Sequence, residues 1–309
     1  MTVKKSSSSL CRKSNLKKRG TLSIILVFLS VFALSAAFTG CTNTENSNEN
    51  TTTTTATIET TKQNQTKAIE IIGSTSVQPL AEIIAEKFIN ENPGTIINYQ
   101  GIGSSKGITS IKDGICDIGT SSRELKEEEK TWGLKEYIMA IDGIAVAVNP
   151  NNSVKELTKE QVVKIFTGEI TNWQEVGGNN KNITILSREA GSGTRGAFEE
   201  LLDLEDKISN KALIFDGNGP MKAAIAGDEA AIGYLSFGFI DNSIKALSID
   251  AVQPTVENVL NSAYPLSRPF IMLVKDDVSD IAKQFLDFVL SDAGQEIVKS
   301  EGYIQVKQQ

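Results

Sequence analysis

The chain has no histidine among its 309 residues and only three cysteines. Without histidine a Ser-His-Asp or Cys-His nucleophile system cannot be assembled, and nearly all types of zinc site lose a ligand. Of the cysteines Cys11, Cys41 and Cys116, only the last lies in the part expected to fold. We therefore expect no disulfide there and a small buried thiol at Cys116.

Positive charge is also scarce, since 31 Lys and Arg residues face 38 Asp and Glu residues and the formal net charge is −7. Bulk electrostatic attraction therefore does not recruit nucleic acid or another anion, and we expect no nucleic-acid partner. An anion site in this chain must be built locally, from oriented hydrogen-bond donors.

Residues 1–40 look like a targeting segment. A basic region between Lys4 and Arg19 precedes an apolar run over 22–38, which is the layout of a secretory signal. The following Thr39-Gly40-Cys41 resembles a lipobox, so we predict a lipid anchor on Cys41. A plain N-terminal membrane anchor is the alternative. Both interpretations place the rest of the chain outside the cytoplasm, tethered to the outer face of the cell membrane.

Residues 41–67 are mostly Thr, Asn, Glu and Gln, with almost nothing to bury, and this composition predicts a flexible linker. Beyond it strand and helix patterns alternate, which favours an α/β fold with ligands at the carboxyl ends of the strands. The patterns predict strands over 68–72, 95–99, 116–120, 183–186, 230–235, 244–249 and 269–274, and helices over 79–90, 104–113, 157–166, 194–202, 281–290 and 294–300.

Three segments rich in Gly, Ser and Thr stand where a predicted strand gives way to a predicted helix. They are residues 72–77 (IGSTSV), 100–107 (QGIGSSKG) and 188–195 (REAGSGTR). Each offers hydroxyl donors and unpaired backbone N–H groups at a helix start, where the helix dipole favours negative charge. One such segment is usually only a turn. Three of them in one chain, one with flanking arginines, predict an oxyanion site.

These motifs, in this order, resemble the phosphate-binding proteins of phosphate ABC transporters. The residues that carry the resemblance are 73–76 with Pro79, 98–105, 117–119, Arg188 with 191–194, and 264–269. The resemblance implies a two-lobed type II periplasmic-binding-protein fold. Each lobe is then a mixed, mostly parallel sheet flanked by helices, with the ligand in the interlobe cleft. We place lobe 1 at 68–144 and 266–309 and lobe 2 at 145–265, joined by crossings near 142–145 and 265–269.

The resemblance also implies the phosphate contacts. Most are hydroxyl or backbone donors, and the arginine would bridge two phosphate oxygens with its planar fork. Carried over onto this chain, the contacts are Thr75, Ser76, Ser104, Arg188, Ser192, Gly193 and Thr194.

At one position the chain departs from many relatives, which carry an aspartate that accepts the proton of phosphate. Ser122 stands there instead; it can accept a hydrogen bond but does not repel fully ionised sulfate as a carboxylate would. We hypothesise that Asp142, an ionisable residue inside the apolar run 138–148, takes over as acceptor. Ala190 replaces an acid that often pairs with the site arginine, and Glu189 is its expected substitute.

The remaining charged residues are expected to be peripheral. Arg123, Arg195 and Lys106 are interpreted as surface charges or lobe-closure partners, and the run 126–130 as the solvated face of a helix.

The resemblance implies an extracytoplasmic, monomeric solute-binding protein that captures inorganic phosphate and delivers it to a membrane-embedded ABC permease. It implies no cofactor, no metal and no catalysis. One alternative is another tetrahedral oxyanion on the same scaffold, such as sulfate, molybdate or tungstate. The other is a secreted phosphoryl-transfer or ester-cleaving enzyme, against which the missing histidine and the lack of clustered carboxylates argue.

Overall fold

The computed structural model of the chain describes residues 67–306. The predicted signal segment, Cys41 and the linker up to residue 66 lie outside the described residues, so these predictions stay predictions. Within residues 67–306, none of the helices combines the length and the hydrophobicity that a bilayer span requires.

Strands and helices alternate through the described part. The strands are β1 Lys67–Gly73, β2 Thr95–Gly101, β3 Ile118–Ser121, β4 Lys135–Val148, β5 Glu156–Leu157, β6 Thr184–Arg188, β7 Leu213–Phe215, β8 Ala231–Ser236, β9 Lys245–Ala246, β10 Ser248–Ile249 and β11 Ser267–Val274. The α-helices are α1 Gln78–Glu91, α2 Ser104–Lys112, α3 Glu127–Lys130, α4 Lys159–Thr167, α5 Gly193–Leu201, α6 Asn218–Gly227, α7 Val256–Leu260, α8 Asp280–Leu290 and α9 Asp292–Ser300. Short 3₁₀ turns cover Trp173–Val176 and Phe237–Phe239.

The strands form one long curved sheet in the order β2-β1-β3-β11-β4-β8-β6-β7, with β9 added beside β4. The outer strands pair in parallel, while β11 and β4 run antiparallel to their neighbours on both sides. Strand β4 changes partner halfway along: Gly143 still lies opposite Ser267 of β11, and Ile144 already lies opposite Ser236 of β8. The chain therefore crosses between two halves of the sheet at Gly143.

Each half of the sheet has its own hydrophobic core. On the β1 side, Ile69, Leu80 and Phe88 pack with Phe270 and Phe285, together with further residues drawn from both ends of the described chain. On the β8 side the core is built from the middle of the chain, and its largest members are Trp173, Phe166, Phe198, Tyr234 and Tyr264. The predicted mixed α/β architecture is confirmed.

Local sequence explains why α1 follows β1. Pro79 occupies the first turn, where its missing N–H costs nothing, and Leu80, Ile84 and Phe88 then bury one face. Helix α5 starts at Gly193 because the side chain of Ser192 caps it, accepting a hydrogen bond from the backbone N–H of Arg195. All three Gly/Ser/Thr segments lie at strand-to-helix junctions, as predicted: β1 to α1, β2 to α2, and β6 to α5.

The prediction of one strand over 244–249 is wrong. The structure has two two-residue strands there, because β9 pairs with β4 whereas β10 turns away to pair with β5. Elements β5, β7, α6 and α7 were not predicted, since none carries a long apolar repeat. Residue Leu213 of β7 is 52% exposed, which explains why this edge strand lacks a burial pattern.

Candidate anion-binding site

The first segment wraps its backbone around a buried serine. The hydroxyl oxygen of Ser74 accepts the N–H groups of Ser76 (3.1 Å) and Val77 (3.4 Å), and its own proton goes to Ser122 Oγ at 2.8 Å. This turn points the neighbouring side chains of Thr75 and Ser76 towards the second half of the molecule, where their partners lie.

The second segment brings Ser104 beside Ser122. Gly103 has a φ of 106°, a conformation that suits glycine, and its N–H donates to Gly73 O at 2.8 Å. The Oγ atom of Ser104 accepts the backbone N–H of Ser122 at 3.0 Å and lies 3.3 Å from Ser122 Oγ. Both serines are fully buried.

The third segment reaches these residues from the other half of the sheet. The Oγ1 atom of Thr194 is 2.8 Å from Ser76 Oγ, and Arg188 Nη2 donates to Thr75 Oγ1 at 3.2 Å. A Cβ placed on Gly193 would stand 2.1 Å from Ser104 Oγ and 2.6 Å from Ser122 Oγ. The start of α5 therefore lies directly against the second segment, and all three segments meet.

Arg188 is one of two buried arginines that donate to this hydroxyl cluster, and it is 1% exposed. Its Nε and Nη2 atoms each donate to Glu189 at 2.8 Å, so the expectation that Glu189 supplies the pairing acid is confirmed. Its third nitrogen, Nη1, is buried and has no hydrogen-bond partner among the described residues. A buried guanidinium nitrogen beside hydroxyl donors is suited to an anionic oxygen.

Asp142 lies at the strand crossing and is paired with another arginine. Its Oδ2 accepts Nη2 (3.0 Å) and Nε (3.2 Å) of Arg268, and its Oδ1 accepts the N–H of Phe237 at 3.3 Å. Burial raises the pKa of Asp142 to about 6, and the guanidinium of Arg268 works in the opposite direction. Asp142 therefore reaches the cluster through Arg268, whose Nη2 donates to Ser76 Oγ at 3.1 Å.

Two residues of the site were missed by sequence reasoning. Asn218 begins α6 and donates from Nδ2 to Ser76 Oγ (2.9 Å) and Thr75 Oγ1 (3.3 Å). Arg268 donates to Ser76 and, from Nη1, to Ser122 O at 2.9 Å. Both had a signal: Asn218 stands in a Gly-Asn-Gly-Pro sequence that opens a helix, and Arg268 is a charge within an apolar strand.

The expectation that 126–130 is a solvated helix face is wrong for Glu129, as is the surface placement of Arg123. Glu129 is 6% exposed and Arg123 is 5% exposed. Their side chains form a bidentate pair at 2.7 and 2.8 Å, because the turn after β3 carries the arginine inward under α3. The thiol of Cys116 is buried and free, as expected, and burial raises its pKa to about 11.

Nothing in the described part resembles a metal centre. Over residues 67–306, no group of three or more His, Cys, Asp or Glu side chains is placed to hold a metal ion. The arrangement of hydroxyls, amides and two guanidinium groups, one of them with an unpartnered nitrogen, can bind and orient an oxyanion.

Comparison with known proteins points the same way. A family profile described as the PBP superfamily domain matches residues 47–293. The phosphate-binding protein PstS of Bacillus subtilis is 34% identical over 287 residues, which cover 92% of this chain and 93% of that protein. The PstS of Borreliella burgdorferi is 30% identical over 257 residues, 79% of this chain and 92% of that protein.

Solved structures give the same result. A putative phosphate ABC transporter substrate-binding protein with bound phosphate from Clostridium perfringens is 46% identical, with a TM-score of 0.77 over 78% of this chain and 100% of that one. An ABC-type phosphate transport receptor from Vibrio cholerae is 39% identical, with a TM-score of 0.67 over 77% and 100%. These likenesses confirm the two-lobed type II fold. The chain belongs to the PBP superfamily and, within it, to the phosphate-binding proteins of phosphate ABC transporters.

Proposed function

We propose that this protein captures inorganic phosphate outside the cytoplasm and delivers it to a membrane-embedded ABC permease. The observation that carries the proposal is the Nη1 atom of Arg188, buried and unpartnered among the described residues beside converging hydroxyl donors. The family supports the same ligand, since relatives similar along most of their length are phosphate-binding proteins.

The proposed phosphate contacts come from both halves of the sheet. Arg188 would bind two phosphate oxygens, while hydroxyls and the backbone at the start of α5 bind the others without adding net charge. The remaining proposed ligands are Thr75, Ser76, Ser104, Ser122, Ser192, Gly193 and Thr194. Lobe 1 (68–144 and 266–309) and lobe 2 (145–265) close around the ion, and closure shifts the population towards the form that the permease recognises.

Discrimination between phosphate and sulfate is proposed to involve Asp142 and Ser122. Ser122 is a neutral acceptor that touches Ser104 and Ser74. Asp142 stays the proposed charged acceptor; the side chain that it contacts at the cluster is Arg268, which also donates to Ser76 Oγ. If Asp142→Asn keeps both the phosphate affinity and the preference over sulfate, that role of Asp142 is wrong.

The location and the partners are proposed partly from sequence. A lipid on Cys41 would hold the protein at the outer face of the cell membrane, as a monomer whose linker lets it reach the permease. Its relatives are transport-binding proteins rather than enzymes. We propose accordingly that the bound ion is released unchanged.

The test is a calorimetric titration of the ligand-free protein with phosphate, then with sulfate, molybdate and tungstate. Tight phosphate binding with weak binding of the other anions supports the proposal. Comparable binding of all four would make the protein a general trap for tetrahedral oxyanions. Turnover of a chromogenic phosphate ester would instead support an enzyme.

A further inference from the structure

Helix α5 carries a second glycine one turn after its first residue. Gly193 begins the helix and Gly196 follows three residues later, which places both on one face. A glycine within a helix is less stable than an alanine there, because it loses more conformational freedom on folding. Gly196 lies inside the helix without a positive φ, so its backbone conformation does not require glycine. A close neighbour is the remaining reason for glycine at this position.

That neighbour is the side chain of Arg123. A Cβ on Gly196 would stand 2.9 Å from Arg123 Cδ and 3.7 Å from Arg123 Nε, and outside α5 these are the atoms that it would meet. Arg123 follows β3 in the proposed lobe 1, whereas α5 belongs to the proposed lobe 2. The two lobes therefore touch here as well as at the hydroxyl cluster.

Arg123 is held too firmly to move aside. Its Nη1 and Nη2 donate to the two carboxylate oxygens of Glu129 at 2.7 and 2.8 Å, and Nη1 also donates to Glu124 O at 2.7 Å. The carboxylate of Glu129 also accepts the backbone N–H of Lys126 at 2.8 Å. Both members of this bidentate pair are buried, and the planar geometry of such a pair fixes the guanidinium in one orientation.

A second contact between the lobes depends on the same guanidinium. Arg123 Nη2 donates to Ser105 Oγ at 3.3 Å, and the backbone N–H of Ser105 donates to Gly191 O, just before α5, at 3.1 Å. Beside these contacts a cavity of about 620 Å³ lies between residues of 123–130 and the outer part of α5. Open space rather than further packing therefore borders the contact between Arg123 and Gly196.

We propose that Arg123, held by Glu129, is the seat against which α5 closes. The seat sets how closely the start of α5 approaches Ser104, and it thereby sets how long the closed, phosphate-bound form lasts. Arg123 and Glu129 act as positioning residues through α5 and Ser105, not through the ligand. This inference rests on the proposed phosphate-binding function and adds the part of the molecule that limits closure.

The experiment measures phosphate affinity by calorimetry and binding rates by stopped flow, on the full chain stripped of ligand. Gly196→Ala places a methyl group against Arg123 only when the lobes are closed. Phosphate affinity should therefore fall about three- to 30-fold, through faster dissociation rather than slower association. The unfolding temperature of the ligand-free variant should not fall, because alanine favours the helix.

The matched control is Gly227→Ala, at the end of α6, where a Cβ would meet nothing within 4 Å. It adds the same methyl group to a helix that does not touch Arg123. This variant should keep the wild-type affinity and both wild-type rates.

A second background tests whether Arg123 is the residue that Gly196 must avoid. Arg123→Ala combined with Glu129→Gln removes the seat without leaving a buried charge unpaired. This background should itself bind phosphate more weakly than the wild type. Adding Gly196→Ala to it should cause no further loss, since the methyl group then has room, so the effects are not additive.

The inference is wrong if Gly196→Ala binds and releases phosphate like the wild type, or if it reduces affinity by the same factor in both backgrounds. If the Arg123→Ala, Glu129→Gln background does not fold, the rates of Gly196→Ala decide, and slower association with unchanged dissociation contradicts the seat. A wild type that binds no phosphate would overturn the proposed function itself, which is a different result.

Discussion

Two buried arginine–carboxylate pairs flank the same hydroxyl cluster and use their donors differently. Arg188, from β6, pairs with Glu189, whose side chain is 21% exposed, and keeps Nη1 without a partner among the described residues. Arg268, from β11, pairs with Asp142, and both are almost completely buried. Each of the three guanidinium nitrogens of Arg268 has a partner: Asp142, Ser76 Oγ or Ser122 O.

This difference in hydrogen bonding distinguishes an arginine that is free to bind a ligand from one that holds other groups in place. Buried donors are almost always satisfied, so a nitrogen that no protein group satisfies is suited to a ligand. A guanidinium whose nitrogens are all engaged holds other groups in place. We therefore propose Arg188 as the arginine that binds the anion, whereas Arg268 holds Ser76, Ser122 and the strand crossing in place.

Replacing Arg268 should have the largest effect on stability. Arg268→Met leaves the carboxylate of Asp142 buried without its partner, which should lower the free energy of unfolding by about 3–5 kcal/mol. Chemical denaturation of the ligand-free protein measures this. The double variant Arg268→Met with Asp142→Asn removes the orphaned charge and should recover most of the loss. If Arg268→Met is as stable as the wild type, the ion pair between Asp142 and Arg268 does not stabilise the fold.

Replacing Arg188 should mainly reduce binding. Arg188→Met removes charge-assisted hydrogen bonds worth about 1.5–3 kcal/mol each, so phosphate affinity should fall about 100- to 1000-fold. Arg188→Lys keeps the positive charge but not the planar guanidinium, so it should lose less phosphate affinity than Arg188→Met. Titration calorimetry gives both values. If Arg188→Met binds phosphate like the wild type, the assignment of the two arginines is wrong.

The Asp142–Arg268 pair should also make stability depend on pH. Burial raises the pKa of Asp142 from 3.8 to about 6, so the folded state binds this proton more strongly than the unfolded state. A contribution of about 3 kcal/mol, present below about pH 4, should be lost as pH rises through about 6. The measurement is the unfolding free energy of the wild type minus that of Asp142→Asn, which should decrease with pH. If this difference instead increases with pH, the guanidinium of Arg268 lowers the pKa of Asp142 by more than burial raises it.

The close contact between Gly193 and Ser104 gives a prediction with a smaller expected effect and a matched control. Gly193→Ala would place a Cβ 2.1 Å from Ser104 Oγ and should weaken phosphate binding about ten- to 100-fold by holding α5 away from Ser104. Gly191→Ala is the control, because its Cβ would meet nothing nearer than 3.9 Å. Equal affinities for the two variants would show that this contact does not matter for binding.

Much of the site could be predicted because its signals are local. Glycines, hydroxyls and a capping serine at a strand-to-helix junction identify an anion-binding turn within about eight residues of sequence. Arg188 and Glu189 are adjacent in the chain, so their ion pair could also be predicted. The alternating α/β pattern followed from burial on one face of each helix.

The rest depended on contacts between distant parts of the chain. Asn218 and Arg268 meet Ser76 across 142 and 192 residues, and no periodic pattern connects them. Glu129 looked solvated because it lies in an acidic run, but the path of the chain after β3 buries it against Arg123. Position in the fold, rather than residue type, decides the role of such charges.

The most direct test of the account is a calorimetric titration of phosphate into wild-type protein and into Arg188→Met. The account predicts saturable one-to-one binding to the wild type and a loss of about 100-fold or more in the variant. Absence of phosphate binding to the wild type, or equal affinity in both proteins, would contradict it.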